Sequence, residues 1–200
     1  AISMALAGDR VVLVDADLRD PALHLYLGLS NDRGLSDVLI DRTASWTERI
    51  QAVDLRRFVP ANMDFTSAQV GNVAPVTKFV CLTSGPALAD PSGLVGSGAL
   101  TEIVAELQGI TDYVILDGPP LLSAPEALVL SRGVDALILA GNPSRVKPAE
   151  AVQVREFLDG AEVTALGMVI CAARKSQIRR IDYYTPRPVE KGYAGQTLYI

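Results

Sequence analysis

The chain has 200 residues, which suits one globular domain with a sizeable core. Hydrophobic residues make up 49% and charged residues 20%, with a formal net charge of −5, so the balance is that of a folded globular protein and excludes a generally basic nucleic-acid binder. The single His24 excludes a multi-histidine metal site. Cys81 and Cys171, far apart in apolar runs, give neither a disulfide framework nor metal-ligand spacing, so a reducing cytoplasm is expected.

In chain order, AISMALA reads as the last turns of a helix closed by Gly8. The apolar, β-branched VVLV (11–14) reads as a strand covered on both faces. Residues 21–41 suggest a short helix, a loop and a second helix from about Ser36. Trp46 to Ala52 suggests one more helical turn, with Trp46 as a packing anchor. Residues 53–75, with Pro60, Asn62, Gly71, Asn72 and Pro75, read as a long loop or insertion carrying at most one strand, RRFV. KFVCLTSG (78–85) reads as a strand and PALADPSGLVGSG as a loop. LTEIVAELQG (100–109) reads as a helix, with apolar residues at 100, 103, 104 and 107. YVILD (113–117) is a strand, PEALVLSRG a helix, ALILAG (136–141) a strand, KPAEAVQVREFLDG (147–160) a helix and ALGMVICAA (165–173) a last strand. The longest apolar stretch, ALVLSRGVDALILAG, is broken by Arg132 and Asp135, so no membrane span or signal peptide is expected.

Strands alternating with helices predict an α/β fold with a mostly parallel sheet and helices on both faces. Ligands of such sheets lie beyond the carboxyl ends of the strands. Two apolar strands end there in acids: VVLV runs into Asp15 and Asp17, and YVIL into Asp117. An acid in that place helps hold a phosphate-bound Mg²⁺, and equally opens turns or caps helices. Two carboxylates so close call for a cation, either Mg²⁺ or Arg19.

LVDADLRDP, the following LHLYLGLSNDRGLSDVL, TDYVILDGPP and ALILAGNPSRVKPAEA resemble the cytoplasmic domain of bacterial tyrosine kinases of the capsular and exopolysaccharide biosynthesis family, related to MinD/ParA-type P-loop ATPases. The resemblance covers residues 1 to about 176, less well at 53–75. DxDxR looks like the family's Walker A′ motif and ILDGPP like its Walker B. The resemblance implies a three-layer P-loop NTPase-like fold using ATP and Mg²⁺. Asp15 and Asp17 become candidates for the base or an Mg²⁺-linked residue, Asp117 an Mg²⁺ organiser, and Arg19 a cofactor-binding residue, with Asp17 and Asp117 as metal ligands. It divides the chain into a kinase-like domain (1–176) and a flexible tail (177–200) whose Tyr183, Tyr184, Tyr193 and Tyr199 are phosphoacceptors. It further implies a membrane chain-length-determinant or activator partner, or a fused N-terminal membrane domain, at the inner face of the plasma membrane. A homo-oligomer fits this picture and nucleic acid does not. The basic Arg174, Lys175, Arg179 and Arg180 suit phosphate, an acidic membrane or solvent.

The pattern departs from the family in one large respect. No G-x-x-x-x-G-K-[ST] occurs in the chain, although that loop supplies the backbone N–H groups and the lysine that hold phosphates. In the family it precedes a helix like AISMALAG, so it is expected just upstream of Ala1, with this chain a fragment. The N-terminal strand that accompanies it is expected to leave a gap or two new edges in the sheet, and the chain alone to be unstable and to bind ATP poorly. Gly118 stands where the family often has Thr or Ser, and ICAA where relatives tend to carry an Asn. A MinD/ParA-like ATPase and a catalytically inactive remnant or regulatory partner are the alternative readings.

Overall fold

A computed structural model describes residues 1–58, 78–161, 164–171 and 196–199. The strands are β1 (Val11–Asp15), β2 (Ile50–Asp54), β3 (Lys78–Leu82), β4 (Tyr113–Asp117), β5 (Ala136–Gly141), β6 (Ala165–Ile170) and β7 (Gln196–Tyr199). They form one sheet in the order β2-β3-β1-β4-β7-β5-β6. Every neighbouring pair is parallel except β2 with β3.

Helices cover both faces, as expected for parallel strands that read as unbroken apolar runs. On one face Val11, Leu13, Cys81 and Ile115 pack against Ala5 of α1 (Ile2–Leu6), Leu27 of α2 (Leu23–Leu27) and Leu55. On the other, Val12, Val14, Leu82, Val114 and Leu116 pack against α3 (Leu35–Ile40), α4 (Ser92–Val95), α5 (Ala99–Gln108) and α6 (Glu126–Arg132). Leu158 of α7 (Pro148–Ala161) joins this second cluster. The α5 face read from the sequence is the buried one: Leu100, Ile103, Val104 and Leu107 are all inside. Among the described residues no helix is long and apolar enough to cross a membrane.

Three local expectations are corrected. Trp46–Glu48 is a 3₁₀ turn, but the chain then extends into β2, an antiparallel edge strand, where a helical turn was expected. The expected strand RRFV (56–59) is not one over its described residues, since Arg56–Phe58 belong to the 3₁₀ turn Leu55–Phe58 and the strand lies earlier, at Ile50–Asp54; Val59 lies outside the described residues. The segment read as a loop at 86–98 contains the single helical turn α4.

A fourth correction concerns the expected gap. β7 lies between β4 and β5, pairing Tyr113 to Leu116 with Gln196 to Tyr199, and Ala136 and Leu137 with Leu198 and Tyr199. Two facing strand edges buried between helical layers leave rows of N–H and C=O groups without water or partner, so an extended segment that reaches them is captured. Residues 196–199, expected within a flexible tail, are that segment. The boundary at 176/177, the rest of the tail and residues 59–77 lie outside the described residues.

Candidate functional site: paired strand-end carboxylates

β1 and β4 are adjacent and parallel, and their register pairs Asp15 directly with Asp117. In a parallel ladder such residues sit about 4.8 Å apart along the hydrogen-bonding direction and project to the same face. Both acids share the parity of Leu13 and Ile115, which fixes that face as the one covered by α1 and α2. The spacing of the two acids thus follows from two apolar strands of matched length.

Asp15 has no exposed surface. Its carboxylate accepts hydrogen bonds from the backbone N–H of Asp17 (3.3 Å) and of Leu23 (3.2 Å), the latter at the start of α2. Those bonds favour the charged form, but burial outweighs them and the Asp117 charge adds to it, so the pKa rises to about 7. Asp117 is pushed up to about 6 by burial and then by Asp17. Two like charges about 5 Å apart repel by about 3 kcal/mol at an effective dielectric of about 20. Among the described residues no lysine or arginine forms a salt bridge to Asp15, Asp17 or Asp117. The Cys81 thiol on neighbouring β3 is pushed up to about 12 by burial, then by Asp15 and Asp117.

Asp17 has left the strand. Its Oδ1 accepts from the backbone N–H of Arg19 (3.1 Å) and of Asp20 (3.0 Å), so it closes the turn after β1 while lying near enough to influence Asp117. Arg19 is placed away from the acids that precede it. Its Nε donates to Glu126 Oε1 (2.5 Å) and its Nη2 to Glu126 Oε2 (3.2 Å) and Ser92 Oγ (3.3 Å). Burial raises the Glu126 carboxyl, but the hydrogen bonds from Arg19 and Ser92 and the Arg19 charge prevail and hold it below the ordinary glutamate value.

Beside the acids, the LTSG turn after β3 is gripped by the start of α3. Leu35 N–H donates to Thr83 O (2.8 Å), Ser36 N–H to Ser84 O (2.7 Å), and Asn31 binds Gly85 through both its Nδ2 and its Oδ1. Among the described residues the buried Ser84 Oγ has no hydrogen-bond partner. Glu126, Ser92 and this turn escaped the sequence reading, since an acid in the first turn of a helix and a serine in a loop look ordinary until their distant partners are known.

Among the described residues no group of three or more histidines, cysteines or acids is placed to hold a metal ion by itself. The donor set fits Mg²⁺ all the same. That ion commonly takes one or two carboxylates and fills its other positions with water and phosphate oxygens. One buried and one half-buried carboxylate, both with raised pKa and neither in a salt bridge among the described residues, are what such an ion stabilises. A separate cavity of about 230 Å³ between α3 and α5 is lined by none of these acids, and its polar groups are paired internally, Arg42 with Glu102 and Trp46 with Glu106. Of the tyrosines, Tyr183, Tyr184 and Tyr193 lie outside the described residues. The backbone of Tyr199 sits beside Leu116, one residue before Asp117.

No family model matches the chain. It is 28% identical over 92% of its length to the tyrosine-protein kinase YwqD of Bacillus subtilis, spanning 68% of that protein. It is 26% identical over 85% of its length to the putative tyrosine-protein kinase CapB of Staphylococcus aureus, spanning 65% of it. It spans 24% of the putative tyrosine-protein kinase EpsB of Ralstonia nicotianae, at 27% identity. The kinase domain of the Escherichia coli tyrosine kinase ETK superposes with a TM-score of 0.67 over 86% of this chain and 61% of that one, at 24% identity. The septum site-determining protein MinD of Pyrococcus horikoshii, complexed with Mg-ADP, superposes with a TM-score of 0.54 over 84% of this chain and 61% of that one, at 23% identity. The chain is a homologue of the bacterial tyrosine-protein kinases, built on the α/β fold that they share with MinD.

Proposed function

We propose that the chain is the core of a cytoplasmic protein-tyrosine autokinase of a capsule or exopolysaccharide assembly system. It transfers the γ-phosphate of ATP to tyrosines of its own tail. The observation that carries this reading is the side-by-side placement of Asp15, buried, and Asp117, half-buried, at the carboxyl edge of the sheet, with no salt bridge to either among the described residues. Phosphoryl transfer asks its protein for positioning and charge neutralisation more than for covalent chemistry.

In this reading Asp117 and Asp17 hold Mg²⁺, which when bound neutralises the phosphate charge. Asp15, poised at about 7, is the group best placed to take the proton of an attacking tyrosine hydroxyl. Tyr183, Tyr184, Tyr193 and Tyr199 are the proposed acceptors, and the 177–200 tail the unit that carries them. No G-x-x-x-x-G-K-[ST] loop occurs in these 200 residues, so in this reading the phosphate-cradling loop is supplied from outside them. A membrane-bound activator, or a fused membrane domain, is the proposed partner, and homo-oligomers bring one tail to a neighbour's site.

The test is incubation of protein carrying its native upstream coding sequence with Mg·ATP, followed by phosphotyrosine mapping. Label on the tail tyrosines, lost in Asp15→Asn and Asp117→Asn, is the expected result. Phosphate release with no labelled tyrosine would instead favour a MinD/ParA-like ATPase, and absence of both an inactive remnant.

A further inference from the structure

Arg19 poses an electrostatic problem for a cation site. It lies two residues beyond Asp17, and its guanidinium is near enough to feel the Asp17 charge. An arginine left free beside paired aspartates neutralises them itself and competes with any metal. Here every nitrogen of the guanidinium is engaged elsewhere: Nε and Nη2 on the two oxygens of Glu126, Nη1 on Ala89 O (3.0 Å), and Nη2 also on Ser92 Oγ (3.3 Å), with the exposed Asp90 a weaker ion-pair partner at 3.7 Å. A planar fork with acceptors matched to its donors is held far better than a single ion pair. The acceptor is itself fixed. Glu126 has no exposed surface, begins α6 and receives Ser92 Oγ at 3.2 Å. The turn that bears Arg19 is pinned to the same loop by Leu88 N–H donating to Leu18 O (2.7 Å).

We propose that Glu126 is a positioning residue of the acidic site: by holding Arg19 it keeps an internal cation off Asp15 and Asp17 and leaves those carboxylates to an added divalent ion. The inference rests on reading Asp15 and Asp117 as a cation-binding pair. It has an unusual consequence, because removing a carboxylate that binds no metal lowers affinity for metal. A brace that merely stiffens the fold predicts that loss of either partner acts alike. Here loss of Glu126 alone weakens the site, loss of Arg19 alone does not, and losing both restores it.

The experiment is Mn²⁺ titration by electron paramagnetic resonance on the 200-residue chain and on Glu126→Gln, Arg19→Gln and the double variant. An arginine beside an aspartate shifts its proton affinity by one unit or more, so Glu126→Gln is expected to weaken Mn²⁺ binding roughly tenfold. The double variant is expected to recover the parent affinity. Unchanged affinity in Glu126→Gln, or a double variant as weak as the single, overturns the proposal. Asp15→Asn and Asp117→Asn test the underlying reading by itself, which fails if neither alters Mn²⁺ binding. A metal-free measurement then still decides on Glu126. The Arg19 Nε–H NMR signal is expected to respond to Asp17→Asn more strongly in the Glu126→Gln background than in the parent, where Arg19 already feels the Asp17 charge, and an equal or smaller response in the Glu126→Gln background overturns the proposal. If Glu126→Gln does not fold, Glu126→Asp keeps the charge on a shorter arm and is expected to weaken Mn²⁺ binding in the same direction. Parent-like affinity there counts against the proposal equally.

Discussion

Asp15 carries a proton cost that the rest of its strand does not. Its pKa rises from the ordinary aspartate value of 3.8 to about 7, through burial first and then the Asp117 charge. The folded chain therefore binds more protons than the unfolded chain between about pH 4 and pH 7. Stability is greatest at the acid end of that window and declines as pH rises through it. Asp117, raised to about 6, acts in the same direction over a narrower range. The Asp15 contribution is on the order of 2–4 kcal/mol. Urea unfolding at pH 5 and pH 8 is expected to show the metal-free parent less stable at pH 8, and Asp15→Asn to remove most of the difference. Mg²⁺ added at pH 8 is expected to stabilise the parent and not Asp15→Asn, so a parent indifferent to both pH and Mg²⁺ would refute the electrostatic account. Cys81 belongs to the same environment. Buried, with its thiol pushed up to about 12, it is expected to resist a thiol reagent in the native state while the exposed Cys171 reacts, so one thiol titrates before unfolding and two after.

At the level of elements, the carboxyl edge is assembled by close backbone crossings. Gly34 precedes α3 in an extended conformation, and its special feature is space: a Cβ there would fall on Thr83 O and Gly85 N. Both are backbone atoms held by hydrogen bonds, so neither yields cheaply. Gly34→Ala is expected to cost about 2–3 kcal/mol or more. Gly93, inside α4, meets nothing within 4 Å, so Gly93→Ala is expected to be neutral or to stabilise by about 0.5–1 kcal/mol. Thermal unfolding of the pair separates crowding from a general intolerance of glycine replacement. The same scale explains what the sequence could disclose. β1, β3, β4 and β5 were legible because strands buried on both faces are unbroken apolar runs, and Asp15 and Asp117 because they end two of them. β2 was not, because IQAVD is a half-covered edge strand whose polar positions hide it after Trp46. Asp17 and Arg19 were legible as residues and not as contacts, since Arg19 is bound to a glutamate 107 positions away.

For the molecule as a whole, the continuity of the sheet rests on β7. On one side stand β2, β3, β1 and β4, bearing the acids. On the other stand β5 and β6, and β6 is an open edge with Leu166, Met168, Val169 and Ile170 more than half exposed. β7 joins the halves by a long pairing to β4 and a short one to β5, confined to Ala136 and Leu137. No local pattern announced this, because a four-residue segment acquires its strand character from the two edges that receive it. The β5–β6 unit is otherwise tied to the core through Leu137, Leu139 and Leu158. Loss of β7 thus exposes the inner edge of β5 without removing that apolar anchor. Deleting residues 196–200, or placing proline at Thr197 to remove a ladder donor, is expected to loosen one side selectively. Amide exchange should quicken on the order of a hundredfold or more in Ala136–Gly141 and Ala165–Ile170. Val11–Asp15 and Tyr113–Asp117 should stay protected, since β1 and β4 retain each other and β1 retains β3. Uniform loss of protection across both sides would mean that the sheet unfolds as one unit, and unchanged protection in β5 and β6 that the apolar anchor alone holds them.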